Sequence, residues 1–148
     1  MPSAPANLDK LFELAITHHQ SGNLPEAERY YKAILEASPR QFDALHYLGM
    51  LEAQRGHPEE ALSLIRRALS INPRSAEANS KLGNVYLEIK RPQEALVYFR
   101  KALAIQPGNV QALYSLGNAL RDLQRHDEAL QSYDAALAID PRFFAALN

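Results

Sequence analysis

Apolar residues along the chain fall into two alternating stripes. In the first, Leu11, Leu14 and Ala15 are spaced i, i+3, i+4, and the spacing returns at Leu45, Leu48 and Gly49, at Asn79, Leu82 and Gly83, and at Leu113, Leu116 and Gly117. That is the periodicity of one helix face, so each set predicts an amphipathic α-helix, and the small residue closing it marks a place where another backbone comes close. A second stripe runs through Ala27, Tyr31 and Ile34, then Ala61, Ile65 and Ala68, then Ala95, Phe99 and Ala102, then Ala129, Tyr133 and Ala136. A row of Leu35, Leu69, Leu103 and Leu137 follows it. Every copy lies 34 residues after the last, and Pro39, Pro73, Pro107 and Pro141 close the phrases "YKAILEASP", "IRRALSINP", "FRKALAIQP" and "YDAALAIDP". The chain therefore divides into units 8–41, 42–75, 76–109 and 110–143, each of two helices, with the start of a fifth at 144–148 and a flexible segment at 1–7. The eleventh position is irregular, holding His18, Glu52, Tyr86 and Leu120.

The helix limits have local causes. Asn7, Ser75 and Asn109 stand where N-caps are expected, with Gln41 a weaker fourth, and Asp9, Asp43 and Glu77 set negative charge against the positive helix end. Gly22 and Gly56 fall between the helices of the first two units. Pro25, Pro58 and Pro92 lie near second-helix starts, where a missing N–H costs little, and Glu26, Glu60, Glu94 and Glu128 occupy the first turn. The recurring proline ends each second helix by disfavouring helical geometry in the residue before it.

These phrases resemble the tetratricopeptide repeat, a helix-turn-helix of 34 residues with L-G, an aromatic, an alanine, another aromatic and a closing proline. "LGNVY" followed by "EALVYFRKALAIQP" (Leu82 to Pro107) carries the likeness best, and it covers residues 8–143. Unit 1 departs most, with His18 in place of an apolar side chain and Ala15 in place of glycine. The resemblance implies an all-α, right-handed superhelical solenoid in which first helices line a concave groove and neighbouring units bury each other's apolar stripes.

At about 100° per residue, the ninth position of a unit points away from the packing positions 4, 7, 8 and 11. Asn84 and Asn118 stand there, so their amides are expected in the groove, able to donate to and accept from a peptide backbone. Recurrent asparagines at this place are similar to the asparagine ladder of O-GlcNAc-transferase arrays, and the repeat style is similar to the N-terminal arrays of bacterial O-GlcNAc-transferase-like (SPINDLY-type) glycosyltransferases. Reading positions 2, 5, 6, 9, 12 and 13 gives a groove in two halves. Phe12, Ile16, Tyr47 and Met50, with His46, form an apolar pocket, whereas Ser80, Lys81, Asn84, Tyr114, Asn118 and Arg121 form a polar half. Phe12 and Ile16 have a second reading, packing against the N-terminal segment. The fifth position holds Phe12, His46, Ser80 and Tyr114 and no lysine, so the carboxylate clamp of chaperone-binding relatives is absent.

Composition narrows the function. The 148 residues are 47% apolar and 22% charged, with 16 basic against 17 acidic residues and no cysteine. Such a balance gives no pull toward nucleic acid or an acidic membrane surface, and no signal peptide or membrane span is evident. A cytoplasmic protein is expected. The second helices carry Arg29, Lys32, Arg66, Arg67, Arg100 and Lys101 outward, among acidic neighbours. His18 and His19 point about 100° apart and cannot chelate one metal together, and His57 and His126 fall in turns. No catalytic constellation or phosphate loop occurs, so no enzyme activity, cofactor or metal is expected. The expected partner is a protein or peptide, with a glycosyltransferase's recruiting module as one alternative. Head-to-tail self-association through Phe143, Phe144 and Leu147 is another, because an uncapped repeat end is a heterologous interface.

Overall fold

The computed structural model describes residues 4–146, with side chains for 7–144. Among the described residues the secondary structure is all helical. The helices are α1 (Ala4–Gln20), α2 (Leu24–Ala37), α3 (Phe42–Gln54), α4 (Pro58–Ile71), α5 (Ala76–Glu88), α6 (Pro92–Ile105), α7 (Val110–Asp122), α8 (His126–Ile139) and the short α9 (Phe143–Ala146). They form two compact units, Met1–Pro73 and Arg74–Asn148. In the first, α2 packs on α1 and α3, and α4 on α3; in the second, α6 packs on α5 and α7, and α8 on α7.

The predicted limits hold with one exception. Ser75 and Asn109 cap α5 and α7, accepting from the backbone N–H of Ala78 and Ala112 at 3.1 and 3.0 Å. Gln41 makes no side-chain cap. Asn7, expected as a cap, lies inside α1, which already runs from Ala4, so residues 4–7 of the expected free segment are helical. Pro58 and Pro92 open α4 and α6, and Pro25 is the second residue of α2.

Each pair of helices turns through one hydrogen-bond motif. The N–H groups of Asn23, His57, Arg91 and Arg125 reach back to the carbonyls of His18, Glu52, Tyr86 and Leu120, each at 2.8 Å. This closure needs a left-handed residue just before the donor. Gly22 and Gly56 fill that place with φ of 82° and 79°, and Lys90 and Gln124 adopt 64° and 63° at the equivalent positions.

Within each pair the small eighth residue meets a side chain of the second helix. A Cβ on Gly83 would sit 2.6 Å from the Phe99 ring, one on Gly117 2.5 Å from the Tyr133 ring, and one on Gly49 2.6 Å from Ile65. The expectation of a backbone close by is thus refined, since ring and branched side chains demand most of the space. In α1 the place belongs to Ala15, fully buried beside buried Tyr31.

Candidate functional site

The solvent-facing stripe of the first helices is narrower than the sequence implied. Helix α3 is packed by α2 and α4, and α7 by α6 and α8; positions 2 and 13 are exposed in every unit, position 9 is half-buried in every unit, and positions 6 and 12 vary. His46 and Ser80, expected in the groove, are 2% and 6% exposed. Position 5 turns toward a packed flank, where the His46 ring stacks on Phe42 and meets Tyr47 edge-on. These two residues leave the candidate site.

In the first unit Ile16, Tyr47 and Met50 line a depression of about 230 Å³ together with His19 and Gln20. Phe12 lies half-buried below it, its ring 5.7 Å from Tyr47 and 6.4 Å from Tyr31. The aromatic floor is therefore held by the unit's own core, and Phe12 packs on α2 and α3. His19 fixes the polar end. Its Nε2–H donates to Gln54 Oε1 at 2.8 Å, which leaves Nδ1 to accept from the Tyr31 hydroxyl at 3.0 Å. Burial, with Tyr47 beside it, pushes the Tyr31 phenol well above its ordinary range.

In the second unit the two asparagines behave differently. Asn118 accepts from the Tyr133 hydroxyl at 2.6 Å. The residue equivalent to Tyr133 is Phe99, which has no hydroxyl, and the half-buried Asn84 side chain makes no hydrogen bond among the described residues. Tyr114 joins another cluster: its ring lies 5.9 Å from Tyr133 and 5.5 Å from both Phe143 and Phe144. Phe143 and Phe144 are accordingly half-buried and do not form an open apolar end, while Leu147 lies outside the described residues. Lys81 is half-buried, and Arg121 is exposed, 3.6 Å from Asp122. Arg121 and Asp122 line an open depression of about 530 Å³ with Lys90, Pro92, Gln124 and His126, at the edge of the unit.

One charged group was missed in the sequence. Glu52 is buried at the irregular eleventh position, its carboxylate 2.6 Å from His57 Nδ1, and Arg55 bridges it to Glu28 on α2. The signal was an acid on an apolar face five residues before a histidine. Glu52, His57 and Glu60 place their ligand atoms within 4.8 Å of one another. With His57 and Arg55 already facing the carboxylate, the group is an ion-pair network tying the α3–α4 turn to α2. Two residues of the outward basic stripe are paired in the same manner, Arg29 with Glu26 at 2.9 Å and Lys32 with Glu28 at 2.5 Å. No helix of the described residues is long and apolar enough to cross a membrane.

Paired helices, a small residue under a ring and a left-handed turn, recurring in register, define a helix-turn-helix repeat protein of the kind that serves as a protein–protein interaction module. The model of the tetratricopeptide repeat matches residues 12–76, 48–110 and 80–142, and the chain belongs to that family. Among solved structures it is similar to MamA, at 26% identity over 93% of this chain and 81% of that one, with a TM-score of 0.86. It is similar also to YrrB, whose structure is described as that of a TPR protein with an unusual peptide-binding site: 25% identity, 90% and 69% of the two chains, TM-score 0.81. PilF of Pseudomonas aeruginosa shares the fold at 22% identity over 94% and 64% of the chains, with a TM-score of 0.86. No curated protein matches the chain.

Proposed function

We propose that the first unit captures a peptide segment of a partner protein by seating one of its apolar side chains against Ile16, Tyr47 and Met50. The observation that carries this reading is the depression itself, apolar along its walls and polar at the His19 and Gln20 end. Its volume suits one side chain of leucine to phenylalanine size, and its polar end suits the flanking peptide backbone. The likeness to YrrB supports a peptide ligand. Arg29, Lys32, Arg91 and Arg125 are each paired with a glutamate, and the chain as a whole balances 16 basic against 17 acidic residues, which favours protein over nucleic acid as the partner class. The chain supplies binding and no chemistry in this reading.

Asn84 supports a second contact of another kind. Its uncommitted amide offers donors and an acceptor to a peptide backbone whatever the peptide's sequence, as in the arrays of O-GlcNAc-transferase-like enzymes that the repeats resemble. Asn118 contributes less, because Tyr133 occupies its oxygen.

The test is a peptide-array screen with the whole chain, repeated with Met50→Glu and Asn84→Ala. Peptides sharing one apolar anchor should be recovered, and Met50→Glu, whose melting temperature should stay near the parent's, should bind them at least tenfold more weakly. Asn84→Ala should weaken all hits by a similar factor. Hits that bind Met50→Glu as well as the parent would remove the first-unit depression from the reading.

A further inference from the structure

The walls of the first-unit depression change character along the helices. In α1, Asp9, Ile16 and Gln20 stand at positions 2, 9 and 13, and in α3 Asp43, Met50 and Gln54 repeat them. Intervals of seven and eleven residues keep each set within about 20° of one line, and Glu13 lies about 40° from that line in α1, as Tyr47 does in α3. The face therefore runs from carboxylates, through the apolar walls, to an uncharged end where His19 and Gln54 are hydrogen-bonded to one another at 2.8 Å. At a rise of about 1.5 Å per residue, Glu13 stands about 5 Å and Asp9 about 10 Å along α1 from Ile16, and Asp43 about 10 Å along α3 from Met50.

The acidic end has no counter-charge of its own. Asp9, Glu13 and Asp43 are exposed and form no ion pair among the described residues. Elsewhere in the unit Glu26 pairs with Arg29, Glu28 with Lys32 and Arg55, and Glu52 with His57. Helix α3 contains neither lysine nor arginine, and the single lysine of α1, Lys10, stands about 100° round the axis from Asp9. Helix-end electrostatics account for Asp43, in the first turn of α3, but not for Asp9 and Glu13, because α1 begins at Ala4 and its first turn holds no acid. The openness of the stripe belongs to the groove face itself, since positions 2 and 13 are exposed also in repeats with a neighbour on either side, at Asp43 and Gln54 and at Glu77 and Glu88.

We propose that the segment captured at this depression carries lysine or arginine about two or three residues from its apolar anchor, on the side toward Asp9, Glu13 and Asp43, and uncharged residues on the other side. The inference rests on peptide capture at Ile16, Tyr47 and Met50 and adds the charge pattern of the partner. An extended chain advances about 3.3 Å per residue, so that spacing brings the cation over the carboxylates while the anchor stays seated. Charge complementarity selects this occupant: three unpaired carboxylates attract a basic segment and repel an acidic one, and they act on choice of partner more than on buried area. Gln20 and Gln54 carry no charge, so a second cation at their end gains nothing.

The probes are short synthetic peptides sharing one leucine anchor, with serine, lysine or glutamate at the second and third residues on both sides of it. Fluorescence anisotropy with the whole chain should show the lysine peptide binding at least tenfold tighter than the glutamate peptide, with serine between them and a margin that shrinks as salt is added. Of two further peptides with lysine on one side only, one should keep the full preference and the other should match serine. Asp9→Asn with Glu13→Gln and Asp43→Asn should erase the margin and leave the serine peptide unchanged; the three side chains are exposed, so this variant should melt near the parent. Met50→Ser should weaken all the peptides by a similar factor. If it weakens none, or if no peptide binds, capture at the depression fails and the charge pattern falls with it. If binding depends on Met50 but lysine and glutamate peptides bind alike, or the preference survives the triple exchange, the charge pattern alone is overturned. It is overturned also by a doubling of mass in light scattering that Met50→Ser abolishes, because a second copy would then occupy the site.

Discussion

The hydroxyl of Tyr133 donates a 2.6 Å hydrogen bond to Oδ1 of Asn118, whereas at the equivalent pair Phe99 offers Asn84 nothing. Two asparagines that look identical in "LGN" therefore have different duties. Asn118→Ala removes a partner from a half-buried phenol and should cost about 1 kcal/mol. Asn84→Ala should change stability by less than about 0.5 kcal/mol. Urea unfolding of the two variants and of Tyr133→Phe checks this, and in a double-mutant cycle the Asn118→Ala, Tyr133→Phe variant should cost less than the two single changes added, because both remove the same hydrogen bond. Equal costs at the two asparagines would mean that the hydrogen bond contributes nothing.

The close approach of Gly83 to Phe99 sets a second expectation. An alanine methyl would lie 2.6 Å from the ring edge, inside contact distance, and the flat ring, buried in the core, has no free space to swing into. Gly83→Ala should therefore destabilise by about 1–3 kcal/mol despite alanine's better helix propensity. Thermal unfolding reads this directly. Gly83→Ala combined with Phe99→Leu should cost less than the two changes added, because the smaller side chain vacates the space.

How far the sequence could be read depends on what kind of constraint each residue obeys. Spacing made the helix pairs legible, since Leu82 and Gly83 or Ala95 and Phe99 can face inward together only on helices. The prolines and the Ser75 and Asn109 caps made most limits legible, because each acts on its own neighbours. Position 5 was misplaced, and His46 and Ser80 with it, because a projection of one helix does not show how much of its flank the neighbours cover. Phe143 and Phe144 were read as free for a similar reason, as nothing local reveals that Tyr114 and Tyr133 lie beside them. Glu52 was missed because its partners come from the next turn and from α2, contacts that exist only once the helices are packed.

The inter-helix turns give a third expectation. Lys90 and Gln124 hold left-handed backbone that glycine adopts without strain, as Gly22 and Gly56 do at the equivalent places. A side chain there costs about 1–2 kcal/mol, part of which glycine's greater freedom in the unfolded chain takes back. Lys90→Gly and Gln124→Gly should each stabilise by about 0.5–1 kcal/mol, additively because they lie in separate turns. Guanidinium melts with unchanged slopes would confirm it, and a loss of stability at either site would contradict the strain.

Glu52 and His57 provide the fourth. Replacing His57 with alanine takes away the donor closest to a buried carboxylate and should cost about 1–3 kcal/mol near neutral pH. Glu52→Leu copies the leucine found at the equivalent Leu120 and returns the exposed His57 and Arg55 to water, so it should cost less than His57→Ala or even stabilise. The order of the two midpoints decides the matter, and a larger loss in Glu52→Leu would show that the network holds the α3–α4 turn by more than satisfying one buried acid.

Tyr31 turns burial into a dependence on pH. Its folded-state pKa lies above that of an unfolded tyrosine, near 10, so the folded protein keeps the phenol neutral where the unfolded chain would lose its proton. The stability contributed is fully present below about pH 10 and is lost as pH rises from there toward the folded value. Unfolding free energy should accordingly be flat across neutral pH and decline on the alkaline side. Tyr31→Phe should be less stable at pH 7, where it gives up the hydrogen bond to His19 Nδ1, and its alkaline decline should be shallower, so that the two curves converge at high pH. Because His19 also forms the polar end of the first-unit depression, the same substitution should loosen that ring and weaken peptides anchored at Ile16, Tyr47 and Met50. Parallel curves for the parent and Tyr31→Phe would place the alkaline loss at the other tyrosines instead.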